Sequence, residues 1–440
     1  MSEIDTKGYV YVMISTLNQM VNYIPLKHFE FDDIYNLTIK KSDYVDNSRW
    51  DENLSKILKR DNINFDFTDK NRNLQFRQDE INDISNILDV LETNFNDKKK
   101  IFWNITGGQR PFVLAITKFI RDHKKTEDYI CYLEGNKSKM VILQDDEIVN
   151  NDSYNLNDLK IITALELMSF EMKNTDTSER NFLDNYNESK KSKEKKFYKK
   201  FLKNYIAIKD REELLKNLIK LNDNYPSKKS NNFKKKLEQY KKDREEATAN
   251  LIKILEFNND EYQIFLNEIT PKTKDGKEVK AFGFILEKLA GYKILELAYG
   301  KIADMTLGEK INHLRDNDKV DSRHIDEFDI ALLTKNGKFM IFECKSGGMD
   351  GDVAKSTKYS TYAVSGVYGK PILITPLLKN EIIAIRKKSS ISGNFKEDSK
   401  YLKEDTYKNI RTAINSAIRA GLEVWGIDEI DKKLEKYIEL

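Results

Sequence analysis

Cysteine and histidine are scarce in this sequence, and neither is arranged for metal or disulfide chemistry. The only cysteines in 440 residues are Cys131 and Cys344, far apart along the chain. A disulfide framework and a zinc set are both excluded, and a reducing compartment, the cytoplasm, is expected. The four histidines (His28, His123, His313 and His324) form no HExxH-type helical pair. Net charge is also nearly absent: 75 basic residues face 72 acidic ones, leaving +3. No global basic field exists, so any nucleic acid must meet a local patch. No apolar run approaches the roughly 20 residues of a membrane helix. The start, "MSEIDTKG", lacks the basic character of a secretory signal. A soluble protein with no membrane partner is expected.

Present in quantity are apolar residues, 39%, and charged ones, 33%. At this length roughly two or three domains are expected. "GYVYVMIST" (8–16) and "KKIFWNIT" (99–106) have the composition of buried strands. "DEINDISNILDVLE" (79–92) and "PFVLAITKFIRDH" (111–123) carry apolar residues at helical spacing, and "DYICYLE" (128–134) and "KMVILQ" (139–144) complete a βαβ alternation. The fold class is therefore α/β, with a parallel sheet in a first domain over 1–172. Residues 173–258 are dense in Lys, Glu and Asn with helical periodicity, broken at Pro226. Two readings of this segment stand open: a solvated helical hairpin or linker, and a basic arm on phosphates centred on Lys190, Lys191, Lys193, Lys195 and Lys196. A second α/β domain over 259–440 offers a helix at 281–294, a hairpin at 327–347, a short strand "PILIT" (371–375), an amphipathic helix at 404–421 and a closing strand and helix.

Two stretches carry chemistry. In "NITGGQRPF" (104–112), a strand runs through Gly107-Gly108 into a helix with Pro111 in its first turn, where a missing N–H costs nothing. Glycines admit a ligand close to the backbone, and free N–H groups at a helix start favour anions. Arg110 adds charge; Asn104 and Thr106 add hydrogen-bonding groups. The first strand also ends in a polar cluster, Ser15, Thr16, Asn18, Gln19 and Asn22. Ligands of open α/β sheets sit at such strand ends. The stretch is neither a Walker A loop nor GxGxxG, and a tight connection without a ligand is the alternative.

The second stretch is "EFDIALLTKNGKFMIFECKSG" (327–347), a hairpin. Glu343 and Lys345 share one face of a strand. A two-residue turn at Asn336-Gly337 would send Asp329 to the opposite face. A three-residue loop, Lys335-Asn336-Gly337 with Gly337 left-handed, pairs Asp329 with Glu343 and is the expectation. Two carboxylates beside a lysine suit Mg²⁺ or Mn²⁺ and an attacking water. Lys345 would orient or deprotonate that water, or stabilise developing charge. Glu287, on the upstream helix, is a candidate further ligand. Cys344 reads as a core thiol, and His324, Asp326 and Glu327 as solvated loop residues. A surface salt bridge is the competing reading of the carboxylates and lysine.

"MISTLNQMVNYIP" with "NITGGQR" resembles the CARF domain, a CRISPR-associated Rossmann-like fold, and "GFILEKL … EFDIALL … FECKSG" resembles the PD-(D/E)XK restriction-endonuclease-like core. The pairing is similar to the ancillary nucleases of type III CRISPR systems. The resemblance implies a homodimer whose paired CARF domains bind a cyclic oligoadenylate, most often cyclic tetra-adenylate, and so activate a nuclease against RNA, DNA or both in antiviral defence. It implies Asp329, Glu343, Lys345 and Glu287 as catalytic, with Asp329, Glu343 and Glu287 holding the metal. It implies Ser15, Thr16, Asn22, Asn104, Thr106, Gly107, Gly108, Gln109 and Arg110 as ligand-binding, although Gln109 stands where a small hydroxyl residue is usual. Two other functions compete: an unregulated restriction or repair nuclease, and a nucleotide-sensing regulator with an inert nuclease-like domain.

Overall fold

The computed structural model describes residues 4–40, 50–98, 100–135, 137–172, 186, 189–222, 226, 232–269, 281–313, 326–389 and 404–438. The first unit runs β1 (Val10–Ile14), α1 (Met20–His28), β2 (Asp33–Ile39), α2 (Trp50–Arg60), β3 (Asn73–Phe76), α3 (Ile84–Phe95), β4 (Ile101–Asn104), α4 (Arg110–Asp122), β5 (Tyr129–Glu134), β6 (Lys139–Gln144) and β7 (Glu147–Ser153). Its sheet has the order β3-β2-β1-β4-β5-β6-β7. The first five strands are parallel, as the βαβ alternation requires, and β6 and β7 add an antiparallel edge. Strand β7, "EIVNNDS", escapes sequence reading because its face is largely exposed and polar. Asp145 and Asp146, both at positive φ, make the two-residue turn that creates it. Chain order reverses between β1 and β4, which are neighbours in register from Val10↔Ile101 to Met13↔Asn104. The crevice beyond their carboxyl ends is the topological switch point, the usual ligand position in such sheets.

After α5 (Ile161–Glu166), β8 (Phe170–Met172) lies outside this sheet and pairs with a later strand, β9 (Ile302–His313). The last residues that the sequence assigns to the first domain therefore form the edge of the second sheet. The lysine-rich segment is helical, in α6 (Ser189–Ala207), α7 (Arg211–Leu221) and α8 (Phe233–Ile254), followed by α9 (Asn259–Ile269). Pro226 lies between α7 and α8, as expected. These helices are not merely solvated. Phe197, Tyr198, Phe201, Leu202 and Tyr205 of α6 and Leu214, Leu215, Leu218 and Leu221 of α7 are buried in one core with the second sheet. Lys193 and Lys196 point to solvent, Lys195 lies 3.8 Å over the Tyr186 ring, and the side chains of Lys190 and Lys191 lie outside the described residues.

The second unit continues with α10 (Ala281–Ala298), β9 (Ile302–His313), β10 (Asp326–Thr334), β11 (Phe339–Cys344), α11 (Gly351–Ser365), β12 (Lys370–Thr375), α12 (Lys379–Ser389), α13 (Glu404–Ala420), β13 (Glu423–Gly426) and α14 (Ile430–Ile438). The sheet order is β13-β12-β11-β10-β9-β8. One face of the β10–β11 hairpin (Ile330, Leu332, Met340, Phe342 and Cys344) packs against the helical segment. The other (Ala331, Leu333, Phe339 and Ile341) shares a core with Tyr11, Met13, Met20 and Ile24 of the first unit. The hairpin is thus sandwiched between the two halves of the chain. Among the described residues, no helix is long and apolar enough to cross a membrane.

Candidate functional site

The switch-point crevice is lined by two loops, residues 15–19 after β1 and 105–109 after β4. Gly107 has φ +71°, a left-handed conformation that favours glycine, and a Cβ there would meet the Thr16 side chain at 3.3 Å. A Cβ on Gly108 would lie 2.3 Å from Ile14 Cδ1, so the second glycine lets the β4 loop lie against β1. Gln109 stands at the start of α4 with extended backbone, and Pro111 occupies its first turn. Gly107, Gln109 and Arg110 are exposed at the crevice, and Ser15 and Thr16 are half-buried.

The remaining residues named from the sequence are buried, Asn22 and Asn104 beneath these loops and Thr106 within the β4 loop. Asn104 is fully buried, and its Nδ2 shares its two hydrogens among Tyr11 Oη (2.8 Å), Val21 O (3.0 Å) and Asn22 Oδ1 (2.9 Å). Its Oδ1 accepts from the Thr106 N–H at 3.1 Å. Asn22 in turn donates to Ile14 O (2.9 Å) and Gln19 Oε1 (2.8 Å), while Thr106 Oγ1 accepts from the Leu133 N–H (2.9 Å). The network ends on a residue that the sequence did not reveal. Asp51, at the start of α2, accepts from Ser15 Oγ (2.6 Å), Gln19 Nε2 (2.8 Å), Thr38 Oγ1 (2.9 Å) and Asn36 Nδ2 (3.2 Å). Burial pushes its carboxyl up, and these four donors oppose the shift. An unbroken chain of side chains, Asp51–Gln19–Asn22–Asn104, therefore ties the β1 loop to the β4 loop.

The second cluster lies at the open end of the hairpin. Pairing runs from Leu333↔Phe339 to Ile330↔Phe342, and continuing it sets Asp329 opposite Glu343. The loop is the three-residue one expected: the Lys338 N–H bonds Thr334 Oγ1 at 3.0 Å, the Gly337 N–H bonds Thr334 O at 2.9 Å, and Gly337 has φ +76°. Lys345 Nζ is paired with Glu343 and lies 3.9 Å from Asp329 Oδ2. Asp329 Oδ2 accepts from the Cys344 N–H at 2.7 Å, and Thr357 Oγ1 of α11 donates to Glu343 Oε2 at 3.3 Å. Thr357 was not legible because α11 has no strong amphipathic pattern in the sequence.

Electrostatics at this end are strained by like charge. Burial and then the Glu343 charge push Asp329 up to about 7, against Lys345 and the Cys344 N–H. Burial and then the Asp329 charge push Glu287, on α10, up to about 9. Burial opposes the Lys345 charge, but Asp329 and Glu343 prevail and raise it. Glu287 thus belongs to the same electrostatic cluster, approached from the opposite helix layer. Cys344 is buried and its thiol is pushed well above its ordinary value, as suits a core residue. Asp326 and Glu327 stand in β10 rather than in a loop, with Glu327 3.4 Å from Lys310; His324 lies outside the described residues.

Fold and clusters together define a two-unit α/β protein: a Rossmann-like sheet with a polar crevice at its switch point, joined to a mixed sheet with an acid–acid–lysine end. Residues 41–157 match the family model described as the Card1 CARF domain, so the CARF resemblance is borne out over that stretch. No curated protein matches the sequence. Among solved structures, protein VC1899 from Vibrio cholerae superposes with a TM-score of 0.61 at 16% identity, covering 98% of this chain and 98% of that one. Can2 from Sulfobacillus thermosulfidooxidans, solved in complex with cyclic tetra-adenylate, superposes with a TM-score of 0.52 at 15% identity, covering 98% of this chain and 96% of that one. Near-complete coverage on both sides shows that the two-unit fold is shared from end to end.

Proposed function

We propose that this chain is a nuclease of type III CRISPR antiviral defence, switched on by a cyclic oligoadenylate, cyclic tetra-adenylate first, and cutting RNA, DNA or both with little sequence specificity. The observation that carries the nuclease half is the hairpin register, which brings Asp329, Glu343 and Lys345 to one end of a buried sheet. The sensor half is supported by the CARF match and by the exposed Gly107, Gln109 and Arg110 at the switch point, with Ser15 and Thr16 opposite. In this reading Asn22, Asn104 and Thr106 hold the two loops in place from below. The chain acts as a homodimer, because a ring with repeated identical units suits a two-fold interface that uses one patch twice.

The donor set fits Mg²⁺ or Mn²⁺. Carboxylates pushed up by burial and by one another's charge, as Asp329 and Glu287 are, would be relieved by a hard divalent cation. No three acidic, histidine or cysteine side chains converge as ligands among the described residues. Asp329 and Glu343 would hold the ion, which would polarise the scissile phosphate, while Glu287, the further ligand expected from the sequence, does not converge with them here and would act on the pair through its charge. Lys345, held beside both carboxylates, orients the attacking water and stabilises charge that develops on the phosphate. Thr357 Oγ1 lies 3.3 Å from Glu343 Oε2, although its one proton also has Val353 O within 3.0 Å. Coupling between the halves runs through the hairpin. Its tip packs on α1, where a Cβ on Gly337 would lie 3.6 Å from Met20 Cγ, and Lys335 O accepts from the Leu156 N–H at 2.7 Å. The carboxylates lie at its other end, roughly 15–20 Å away at strand rise.

The test is cleavage of labelled single-stranded RNA, single-stranded DNA and supercoiled plasmid with Mn²⁺ or Mg²⁺ in the presence of cyclic tetra-adenylate. Glu343→Ala and Asp329→Ala are each expected to lose about a hundredfold or more. Cutting that survives both substitutions would refute the site.

A further inference from the structure

The lysine-rich helical segment reaches the residues beside the candidate nuclease site through the side chain of Asn222. Asn222 caps the C-terminus of α7, its own N–H bonded to Ile219 O at 2.9 Å. Its Nδ2 donates to Ser346 Oγ at 2.9 Å, and its Oδ1 accepts from the Phe282 N–H at 3.2 Å. Ser346 is buried and directly follows Lys345. Phe282 is in the first turn of α10, where the N–H groups have no partner within the helix, and Glu287 follows little more than one turn later. A single amide thus bridges the helix of one acidic group and the strand end of the lysine. The bridge is itself held: Arg244 of α8 donates to Leu221 O at 2.7 Å and to Ile269 O at 3.1 Å, binding the ends of α7 and α9 together.

We propose that Asn222 is a positioning residue of this site, clamping the start of the Glu287 helix to the end of the Lys345 strand. The lysine-rich segment, whose sequence suggested a linker or a basic arm, is then a structural part of the site. Small displacements of charged groups cost activity steeply, tenfold to a hundredfold for about 1 Å, so the clamp acts on turnover rather than on substrate binding. This inference rests on the nuclease reading, and its test is built to separate the two.

Full-length Asn222→Ala, Ser346→Ala and the double variant are compared with the wild type by kcat and KM for cleavage, by calorimetric Mn²⁺ binding, and by cyclic tetra-adenylate binding as a control for the fold of the first unit. Each single variant is expected to lose about tenfold in kcat, with KM and nucleotide binding unchanged. The double variant is expected to lose no more than the worse single one, because both remove the same bond. Mn²⁺ binding is expected to weaken several-fold in Asn222→Ala. Wild-type kcat in Asn222→Ala, or losses that multiply in the double variant, would overturn the proposal. If Asn222→Ala fails to fold, Ser346→Ala removes the bond from the other side and is judged alone, by the same loss of kcat. If the wild type cuts no nucleic acid, the nuclease reading fails, and Mn²⁺ binding still decides for the clamp: weaker binding in either single variant supports it, while equal binding, or none in the wild type, overturns it.

Discussion

Burying a carboxylate without a cation is costly unless its oxygens are fully used by donors. Asp51 meets that condition with four donors, two from the loop after β1 and two from β2. Asp51→Ala leaves those groups unsatisfied and frees the β1 loop. A loss of about 1–3 kcal/mol in denaturant unfolding is expected, together with weaker cyclic tetra-adenylate binding by calorimetry; unchanged affinity would separate Asp51 from the crevice. Gly108 is constrained by contact, since its added Cβ would enter the Ile14 side chain. Gly108→Ala is expected to cost about 1–3 kcal/mol, with part restored by Ile14→Val, which removes the colliding Cδ1. No restoration would mean that the loop had moved instead. These two residues mark the limit of sequence reading at this scale. The glycine pair was legible as punctuation, and its neighbours as polar groups. That Asn22, Asn104 and Thr106 face inward, and that Asp51 joins them from another helix, depends on packing between elements distant in the chain.

At the scale of elements, the β10–β11 hairpin was readable because alternation and turn chemistry agree: only one loop length put all three charged groups on one face. Helix α6 was harder. Its aromatic and leucine positions follow helical spacing, but lysines between them dominate the composition and imitate a solvated segment. Strand β9 was missed altogether, although it supplies the central pairing partner of β10. The hairpin also yields a prediction on pH. Asp329 binds its proton more tightly in the folded chain than in the unfolded one, so stability falls as pH rises from the ordinary carboxylate range through about 7. In metal-free protein, Asp329→Asn is expected to raise stability at pH 8 by on the order of 1–3 kcal/mol. The gain should vanish near pH 4, and Mn²⁺ should stabilise the wild type but not the variant. Equal denaturation midpoints at pH 8 would show that the cluster carries no such penalty.

At the scale of the whole molecule, the two sheets share a core, and the hairpin that carries the carboxylates belongs to both halves. A ligand that favours one packing of α1 and the β4 loop therefore has a short physical route to the other end of β10 and β11. It shifts the balance only by its difference in affinity between the two states. The general α/β class was visible in the sequence, as were strand-and-helix alternations toward both ends of the chain. The role of β8 and the docking of the lysine-rich helices were not, because both are set by where the second sheet needs an edge and a cover. The most direct measurement is the rate at which the full-length chain cleaves single-stranded RNA and DNA with Mn²⁺, with and without cyclic tetra-adenylate. The rate is expected to rise about tenfold to a hundredfold with the nucleotide and to fall to background in Glu343→Ala. Cleavage at the same rate without the nucleotide would contradict the coupling and leave the switch-point crevice as scaffold.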